Sequence, residues 1–346
     1  MKQYVHGGDI YRHPHVLDFS ANINPLGTPE AVIRAAQESM TRVAHYPDAH
    51  QEKLKRALSE YEKVPEEWLI CGNGAAELIF VLVQAVRPNK ALIPAPTFAE
   101  YEQALRGVDC EVSYELLKEE TGFRLGEEIL NRLTEDLDII FLCNPNNPTG
   151  LLTDEGLLEK VADVCEQRDI LLVIDECFLD FVEGQERLTL KGKLKDGRKL
   201  FILKAFTKRY AMAGLRLGYG ISADAELLDA MAQRLQPWNV SIPAQEAGVA
   251  ALGERAYVEE AKKIVEQEKG YLIRELRKLG YQVYDSCANY IFFRGESDLH
   301  KKLLQEQVMI RDCSNYPGLT GGYYRIAVRL HQENERLLEA IRKVRK

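Results

Sequence analysis

Two segments of the chain carry a basic and an acidic side chain that could act on one ligand. TKRYAMAGLRLGYG (207–220) contributes Lys208, and partial burial would lower the pKa of this amine and make it a Schiff-base nucleophile. A lone lysine is more often a solvated surface amine. DECFLDF (175–181) contributes Asp175, which closes an apolar run and therefore needs a cation or a hydrogen-bond donor if it is buried.

Two further segments add an amide and a phosphate cradle. NPNNPTG (144–150) contributes Asn147, in a turn that by itself indicates only a loop. GNGAAE (72–77) is a glycine turn that opens a predicted helix, whose free N–H groups suit a phosphate. An amine, a carboxylate, an amide and a phosphate cradle together fit pyridoxal 5′-phosphate. This cofactor needs an imine to lysine, an anion at its ring nitrogen and a phosphate anchor.

The elements that must position these groups alternate between Trp68 and about Ile221. The predicted strands are 68–72, 90–94, 110–116, 138–143, 170–175 and 199–206, and the predicted helices are 75–86 and 153–169. Near-continuous apolar strands are typical of a parallel sheet covered on both faces, so we predict an α/β fold. Because ligands bind at the carboxyl ends of such strands, we expect the four segments to contribute to one site.

The rest of the chain predicts a second, smaller unit. Its predicted elements are a helix from Tyr257 to Leu279, strands around YQVYD and YIFF, a helix at 297–306, a strand at 323–328 and a helix at 333–345. The amino-terminal stretch to about Leu26 is rich in Pro, Asn and His and predicts an arm. The expected division is an arm at 1–28 that covers the site, a large cofactor-binding domain at 29–240 and a small C-terminal domain at 241–346.

Composition excludes several classes of protein. The 346 residues include 45 Lys+Arg against 53 Asp+Glu, a net charge of −8, which argues against a nucleic-acid partner. No apolar run is long enough for a membrane span, and we see no signal peptide. Seven scattered cysteines without a CxxC pair predict reduced thiols and a cytoplasmic location. The spacing His13-x-His15 indicates a solvated loop, so no metal site is predicted.

The motifs NPNNPTG, IDECFLDF and TKRYAMAGLRLGY, in that order, resemble the fold-type I pyridoxal-phosphate enzymes. Within that group the chain is similar to the branch that contains the histidinol-phosphate aminotransferases and the threonine-phosphate decarboxylases. The resemblance covers essentially the whole chain. It implies an aspartate-aminotransferase-like fold, with a mostly parallel seven-stranded sheet in the large domain and a small α+β domain.

The resemblance also implies roles for individual residues at the cofactor. Lys208 forms the Schiff base, Asp175 pairs with the pyridinium nitrogen, and Asn147 donates to the ring hydroxyl. The implied contacts of the cofactor phosphate are the backbone N–H groups of Gly74, Ala75 and Ala76 and the side chains of Thr207 and Arg216. Phe98 is implied to stack on the ring face. Phe178 is implied to lie near the ring oxygen, at the position where most aminotransferases carry tyrosine. Tyr46 is implied to reach the cofactor phosphate of a neighbouring subunit, hence a homodimer with shared active sites. Without the resemblance, Phe98 and Tyr46 indicate only packing or a turn.

Four residues are implied at the substrate. Arg325 would hold a carboxylate through two bonds and Arg311 a phosphate, although a lone arginine is usually a surface charge. His6 and Asn22 would lie over the active site. The expected partner is therefore a small phosphorylated amino-acid substrate.

Three features favour the decarboxylases within the branch: HGGDI (6–10) followed by DFSANINPLG (18–27), the segment RDCSNYPGL (311–319), and Phe178. The expected reaction is decarboxylation of L-threonine O-3-phosphate to (R)-1-amino-2-propanol O-2-phosphate for cobalamin biosynthesis. The alternative is histidinol-phosphate aminotransferase or a related aminotransferase. A binding or regulatory protein is disfavoured, because the lysine, aspartate and asparagine of the site are intact. Cys177 and Arg209 depart from the family pattern and leave local packing open.

Overall fold

The computed structural model describes residues 6–196 and 199–345. Its strands are β1 (Leu17–Asp18), β2 (Leu69–Gly72), β3 (Lys90–Ala95), β4 (Glu111–Leu116), β5 (Ile139–Cys143), β6 (Leu171–Asp175), β7 (Leu200–Ala205), β8 (Gly218–Ile221), β9 (Gln282–Val283), β10 (Tyr290–Arg294), β11 (Val308–Met309), β12 (Arg311–Asp312) and β13 (Tyr323–Ala327). Its α-helices are α1 (Glu30–Ser39), α2 (Glu52–Glu62), α3 (Ala75–Val86), α4 (Ala99–Arg106), α5 (Glu155–Gln167), α6 (Phe206–Arg209), α7 (Ala225–Ala232), α8 (Ile242–Leu252), α9 (Arg255–Lys278), α10 (Leu299–Gln305) and α11 (His331–Val344).

Within residues 6–196 and 199–345, seven strands form the main sheet in the order β2-β8-β7-β6-β5-β3-β4. The neighbours from β7 to β4 are parallel, and β8 runs antiparallel to both β2 and β7. Strands β5 and β6 are buried along their whole length, as an apolar strand with helices on both faces must be. The predicted α/β class with a mostly parallel sheet is confirmed.

Strand β8 is the element of this sheet that the sequence did not predict. Two of its four residues are glycine, which is depleted in strands. Close packing explains its glycines: a Cβ on Gly220 would lie 2.1 Å from the Phe201 ring, and one on Gly218 would lie 2.3 Å from the backbone nitrogen of Ala75. The glycines that let β8 pack closely against its neighbours have low strand propensity. The local sequence therefore does not indicate a strand here.

The smaller unit combines both ends of the described chain. Strands β12-β13-β10-β9 form an antiparallel sheet, and the predicted helices and strands of this region are confirmed to within a few residues at their ends. Near the amino terminus, β1 pairs in parallel with β11, and Phe19 is fully buried beside Leu272 and Ile326. The residues before α1 are thus held by main-chain pairing and by an apolar anchor.

Helix α8 begins just beyond the predicted domain boundary at 240. Its Ala244 and Ala247 are buried in one apolar cluster with Val32 of α1 and Leu54 of α2, so α8 packs on helices of the large unit. The domain limits stay predictions.

A cluster of buried charges lies beside β7. Lys204 Nζ is 3.5 Å from Glu62 Oε1, 3.8 Å from Glu176 Oε2 and 3.8 Å from Asp180 Oδ1. Arg209, whose packing the sequence left open, forms an ion pair with Asp180. Each charge in this cluster therefore faces an opposite charge, which is the condition for keeping such groups in a core.

The cysteine thiols are all free, and six of the seven are buried. No helix in the described part of the chain is long and apolar enough to span a bilayer. The same residues contain no group of three or more His, Cys, Asp or Glu arranged to hold a metal.

Candidate functional site

A cavity of about 260 Å³ opens at the carboxyl ends of β5, β6 and β7. This is the edge at which a parallel sheet places its ligand. Most of the predicted site residues line it, namely His6, Asn22, Ala75, Ala76, Phe98, Asn147, Asp175, Phe178, Thr207, Lys208, Arg216, Arg311 and Arg325. The structure therefore brings together residues from the amino terminus, the large unit and the carboxyl-terminal strands.

Lys208 lies in α6, directly after β7, and its amine faces cations. Burial lowers its pKa to about 8, and the charges of Arg325 and Arg216 act in the same direction. Its Nζ lies 5.8 Å from the centre of the Phe178 ring. Roughly a tenth of this amine is therefore unprotonated at pH 7, far more than of an ordinary lysine, and this favours its action as a nucleophile or proton acceptor.

Asp175 ends β6 and is buried. The Tyr101 hydroxyl donates to Oδ2 at 2.6 Å, and the Cys177 backbone N–H donates to Oδ1 at 2.9 Å. Burial raises the pKa of this carboxyl, although both donors oppose the shift. The partner that the sequence required is thus a pair of hydrogen-bond donors, and Cys177 supplies one of them through its backbone.

Arg325 and Asn147 are in direct contact in the cavity. Arg325 Nη1 donates to Asn147 Oδ1, and Nη2 donates to the Ser20 carbonyl at 2.7 Å. The guanidinium lies over the Tyr290 ring, 5.6 Å from its centre. Its Nε is buried without a partner. The β13 arginine is therefore held in position by two hydrogen bonds, while its Nε–H has no partner within the described chain.

Arg311 stands opposite Arg325 in the register of β12 and β13. It donates to the Asp312 carbonyl at 2.7 Å and to Asn315 Oδ1 at 2.9 Å, and its guanidinium lies 5.2 Å from the centre of the Tyr316 ring. Both arginines are buried and line the cavity. Two adjacent guanidinium groups form a site for two anionic groups.

The amino terminus of α3 forms a second anion site. Gly74 precedes the helix with φ +83°, and a Cβ there would lie 2.4 Å from Arg216 Nη2. The backbone and this guanidinium therefore approach each other closely, and only glycine leaves the space. Free N–H groups at the start of α3, together with Arg216 and the Thr207 side chain, suit a phosphate.

The amino-terminal arm contributes two side chains to the cavity. Asn22 is buried, and neither its amide nitrogen nor its amide oxygen has a hydrogen-bond partner. Such atoms are costly unless a ligand or water meets them. His6 is half exposed, and burial and then the charge of Arg311 lower its pKa.

Two aromatic side chains line the cavity wall. Phe98 packs edge-on against Tyr101, with ring centres 5.6 Å apart, and Phe178 packs edge-on against Tyr290 at 4.9 Å. Phe178 offers no hydroxyl to a ligand. The position that resembles the tyrosine of aminotransferases is therefore apolar here.

Gly74 and Tyr46 do not line the cavity, although Gly74 shapes it by its contact with Arg216. Tyr46 is exposed and stacks on Trp238 with ring centres 4.4 Å apart. Sequence reasoning missed Glu100, which also lines the cavity. Its signal was its place in PTFAEY, directly after β3.

Sequence reasoning also assigned no role to Tyr101 and Tyr316. Tyr101 hydrogen-bonds to Asp175, and Tyr316 stacks under Arg311. Tyr316 lies in the segment 311–319 that the sequence analysis singled out, close in sequence to its partner Arg311. The partner of Tyr101 is 74 residues away, so no local pattern indicates that contact.

Known proteins share this fold. The sequence profile of aminotransferase class I and II matches residues 14–341. A threonine-phosphate decarboxylase from Salmonella typhimurium is 40% identical over 98% of this chain and 96% of the relative.

Two solved structures extend the comparison. A histidinol-phosphate aminotransferase from Clostridium acetobutylicum superposes with a TM-score of 0.89 at 31% identity, covering 95% of this chain and 99% of that one. An L-threonine-O-3-phosphate decarboxylase from Porphyromonas gingivalis gives 0.83 at 26% identity, covering 94% and 98%.

The fold and the cavity define an α/β enzyme with an aspartate-aminotransferase-like architecture. The chain belongs to the aminotransferase class I and II family. The recognition from sequence is confirmed, and so is the cofactor, because these enzymes depend on pyridoxal phosphate. The residues present fit that group, since the glycine cradle at α3, the amine of Lys208 and the buried carboxyl of Asp175 occur in one cavity.

Proposed function

We propose that this enzyme decarboxylates L-threonine O-3-phosphate, giving carbon dioxide and (R)-1-amino-2-propanol O-2-phosphate for cobalamin biosynthesis. The observation that carries the proposal is the pair of guanidinium groups of Arg311 and Arg325, side by side in the cavity. A substrate with one carboxylate and one phosphate matches two cations. The relative from Salmonella typhimurium, similar over nearly the whole chain, supports the same substrate.

The cofactor would be held by groups from three strand ends. Lys208 would attach it covalently, Asp175 would pair with its ring nitrogen, and Asn147 would donate to its ring hydroxyl. Phe98 would pack against its ring. These roles are supported by the common cavity and by the lowered pKa of the lysine amine, to about 8.

The cofactor phosphate would lie at the start of α3. Gly74, Ala75 and Ala76 offer backbone N–H groups there, and Thr207 and Arg216 complete the anion site. The close approach of Arg216 to Gly74 supports this role.

The substrate would lie between the cofactor and the arm. Arg325 takes the carboxylate and Arg311 takes the phosphate, with His6 and Asn22 closing the site from above. The unpartnered amide of Asn22 supports this part of the proposal, because a polar ligand would satisfy both of its atoms.

Pyridoxal phosphate supplies the electron sink that accepts the electron pair of the broken bond at Cα. Arg325 would determine which bond that is, because its fixed guanidinium would bind and orient the substrate carboxylate. The Cα–carboxylate bond breaks, carbon dioxide leaves, and a proton takes its place on Cα. Lys208 Nζ is fitted to return that proton, since an amine with a pKa of about 8 exchanges its proton near neutral pH.

The assembly we propose is a homodimer with shared sites, in the cytoplasm. Tyr46 and Trp238 expose a stacked aromatic pair outside the cavity, as a contact with a second subunit would need. The buried free cysteines favour a reducing compartment.

The test of this function is to incubate the cofactor-loaded protein with L-threonine O-3-phosphate and to measure released carbon dioxide. L-Threonine without the phosphate is the matched substrate control and should react far more slowly. Glutamate formation from histidinol phosphate and 2-oxoglutarate is measured in parallel. Transamination without carbon dioxide release would overturn the proposal.

The second candidate is histidinol-phosphate aminotransferase, or a related aminotransferase. The specific observation in its favour is the TM-score of 0.89 with the enzyme from Clostridium acetobutylicum. Identity to that protein is 31%, against 40% to the decarboxylase relative, and Phe178 removes a hydroxyl that most aminotransferases of the branch carry. These differences favour the decarboxylase.

A further inference from the structure

Glu100 places a carboxyl group in a cavity whose arginine side chains suit anionic ligands. It lies in α4 and lines the same cavity as Lys208 and Arg311, with its side chain 13% exposed. Its Oε2 is buried without a hydrogen-bond partner, while Oε1 lies 3.3 Å from His6 Nδ1. An ionised carboxylate at this position would repel the phosphate and the carboxylate of the proposed substrate.

The surroundings of Glu100 favour its neutral form. Burial raises its pKa to about 7, and the charge of Asp175 adds to the shift, whereas Lys208 and Arg311 oppose it. The titratable and charged groups around the carboxyl are His6 from the arm, Asp175 at the end of β6, Lys208 of α6, Arg311 of β12 and Tyr316 from the following loop. A second anion nearby would raise the pKa further.

We propose that Glu100 enters the substrate complex as a neutral carboxylic acid, which keeps its proton and donates a hydrogen bond to the substrate phosphate beside Arg311. The inference rests on the proposed function, which supplies the phosphate. His6 positions the acid: a neutral imidazole with its proton on Nδ1 donates to Oε1, which leaves the proton of the acid on Oε2. The phosphate then accepts a hydrogen bond from the Oε2–H group, whose oxygen has no partner within the chain.

The proton balance of binding follows directly. Above the pKa of the free site, the carboxylate must take up one proton from solvent when the phosphate binds. No covalent bond changes. Affinity for a phosphorylated ligand therefore falls by up to about tenfold per pH unit above neutrality, in addition to any pH dependence of the ligand itself.

Titration calorimetry on the holoenzyme tests this, with (R)-1-amino-2-propanol O-2-phosphate as the probe, since it carries the phosphate and no carboxylate. Measurement at pH 8 in two buffers of different ionisation enthalpy gives the protons taken up on binding. Glu100→Gln keeps the shape and a neutral donor. Glu102→Gln is the matched control, because it removes a buried carboxyl from the same helix that does not line the cavity.

We expect wild type and Glu102→Gln to take up close to one proton more than Glu100→Gln, which also loses the extra pH dependence of affinity. Cofactor absorbance and thermal unfolding establish that each variant is loaded and folded. Equal uptake in all three proteins overturns the inference alone. Proton release by wild type relative to Glu100→Gln also overturns it, since it means an ionised Glu100 pairs with the amine. If wild type binds the phosphorylated probe no better than 1-amino-2-propanol, the proposed function fails as well.

Discussion

Lys204 and Lys208 belong to one short segment, the end of β7 and the start of α6, yet their surroundings act on them in opposite ways. Burial alone would lower the pKa of Lys204, but Glu62, Asp180 and Glu176 raise it above its ordinary value. Burial lowers the pKa of Lys208 to about 8, and Arg325 adds to that shift. One amine is held as a permanent cation and the other is available as a free base.

The same contrast holds for the two buried regions as a whole. In the cluster around Lys204, each charge faces an opposite charge, although Arg209 Nε has no hydrogen-bond partner among the described residues. In the cavity, the cations Arg311 and Arg325 lie side by side, and both amide atoms of Asn22 lack partners within the described chain. Charges that stabilise the fold are thus balanced within the chain, whereas the cavity contains an excess of positive charge that an anionic ligand can balance.

The largest expected effect comes from removing the free amine. Lys208→Ala should lower kcat for decarboxylation by at least about 1,000-fold and abolish the absorbance of the lysine-bound cofactor, because no other lysine lines the cavity within the described residues. Initial rates of carbon dioxide release measure this. Lys199→Ala, at an exposed lysine next to β7, is the control and should keep wild-type rates. A Lys208→Ala enzyme with near wild-type activity would contradict the assignment.

Removing the permanent cation should damage stability. Lys204→Ala removes the cation that faces Glu176 and one of the cations beside Glu62 and Asp180. We therefore expect a loss of about 3–5 kcal/mol in the free energy of unfolding. Urea denaturation of the apoprotein measures it, with Lys208→Ala expected to stay within about 1 kcal/mol of wild type. If the two variants lose equal stability, the contrast between the regions is wrong.

Arg311 should contribute to binding more than to folding. Arg311→Gln is expected to raise KM for L-threonine O-3-phosphate by about 10- to 100-fold, because a desolvated guanidinium–phosphate pair is lost. Its unfolding free energy should change by about 1 kcal/mol or less. Steady-state kinetics with carbon dioxide detection gives the first quantity. An unchanged KM would show that the phosphate lies elsewhere.

The smallest effect concerns pH. The amine of Lys208 reacts only when unprotonated, so the rate of cofactor loading into the apoprotein should rise about tenfold from pH 7 to pH 9 and level off above its pKa of about 8. Rapid-mixing absorbance measures the rate. Arg325→Gln removes a neighbouring cation and should move the midpoint to higher pH. A midpoint that stays in place in this variant would exclude Arg325 as a cause of the shift.

Sequence alone predicted the strand ends and the polar residues that follow them. Asn147, Asp175 and Lys208 each follow an apolar run, and the position of a residue after a strand is local information. Strand β8 was missed because its glycines serve packing against Phe201 and Ala75, which no local pattern records.

The roles of other residues depend on contacts between distant segments. The sequence around Glu100 indicates only an acidic residue in a helix, whereas the groups that act on it include His6 of the arm and Arg311 of β12. In the sequence, Lys204 is only a charged residue within an apolar strand. Its partner Glu62, in α2, is distant in sequence, so the ion pair is not predictable from local pattern. Pairings of this kind are set by the tertiary fold.

The position of His6 has a practical consequence for handling the protein. The side chain lines the cavity, so a tag joined directly before residue 6 would be attached to a segment that forms part of the cavity wall. The carboxyl-terminal helix α11 contributes no residue to the lining among those described. Purification handles and immobilisation linkers are therefore better attached after α11, and kinetic comparisons between preparations should be made only with amino termini of the same sequence.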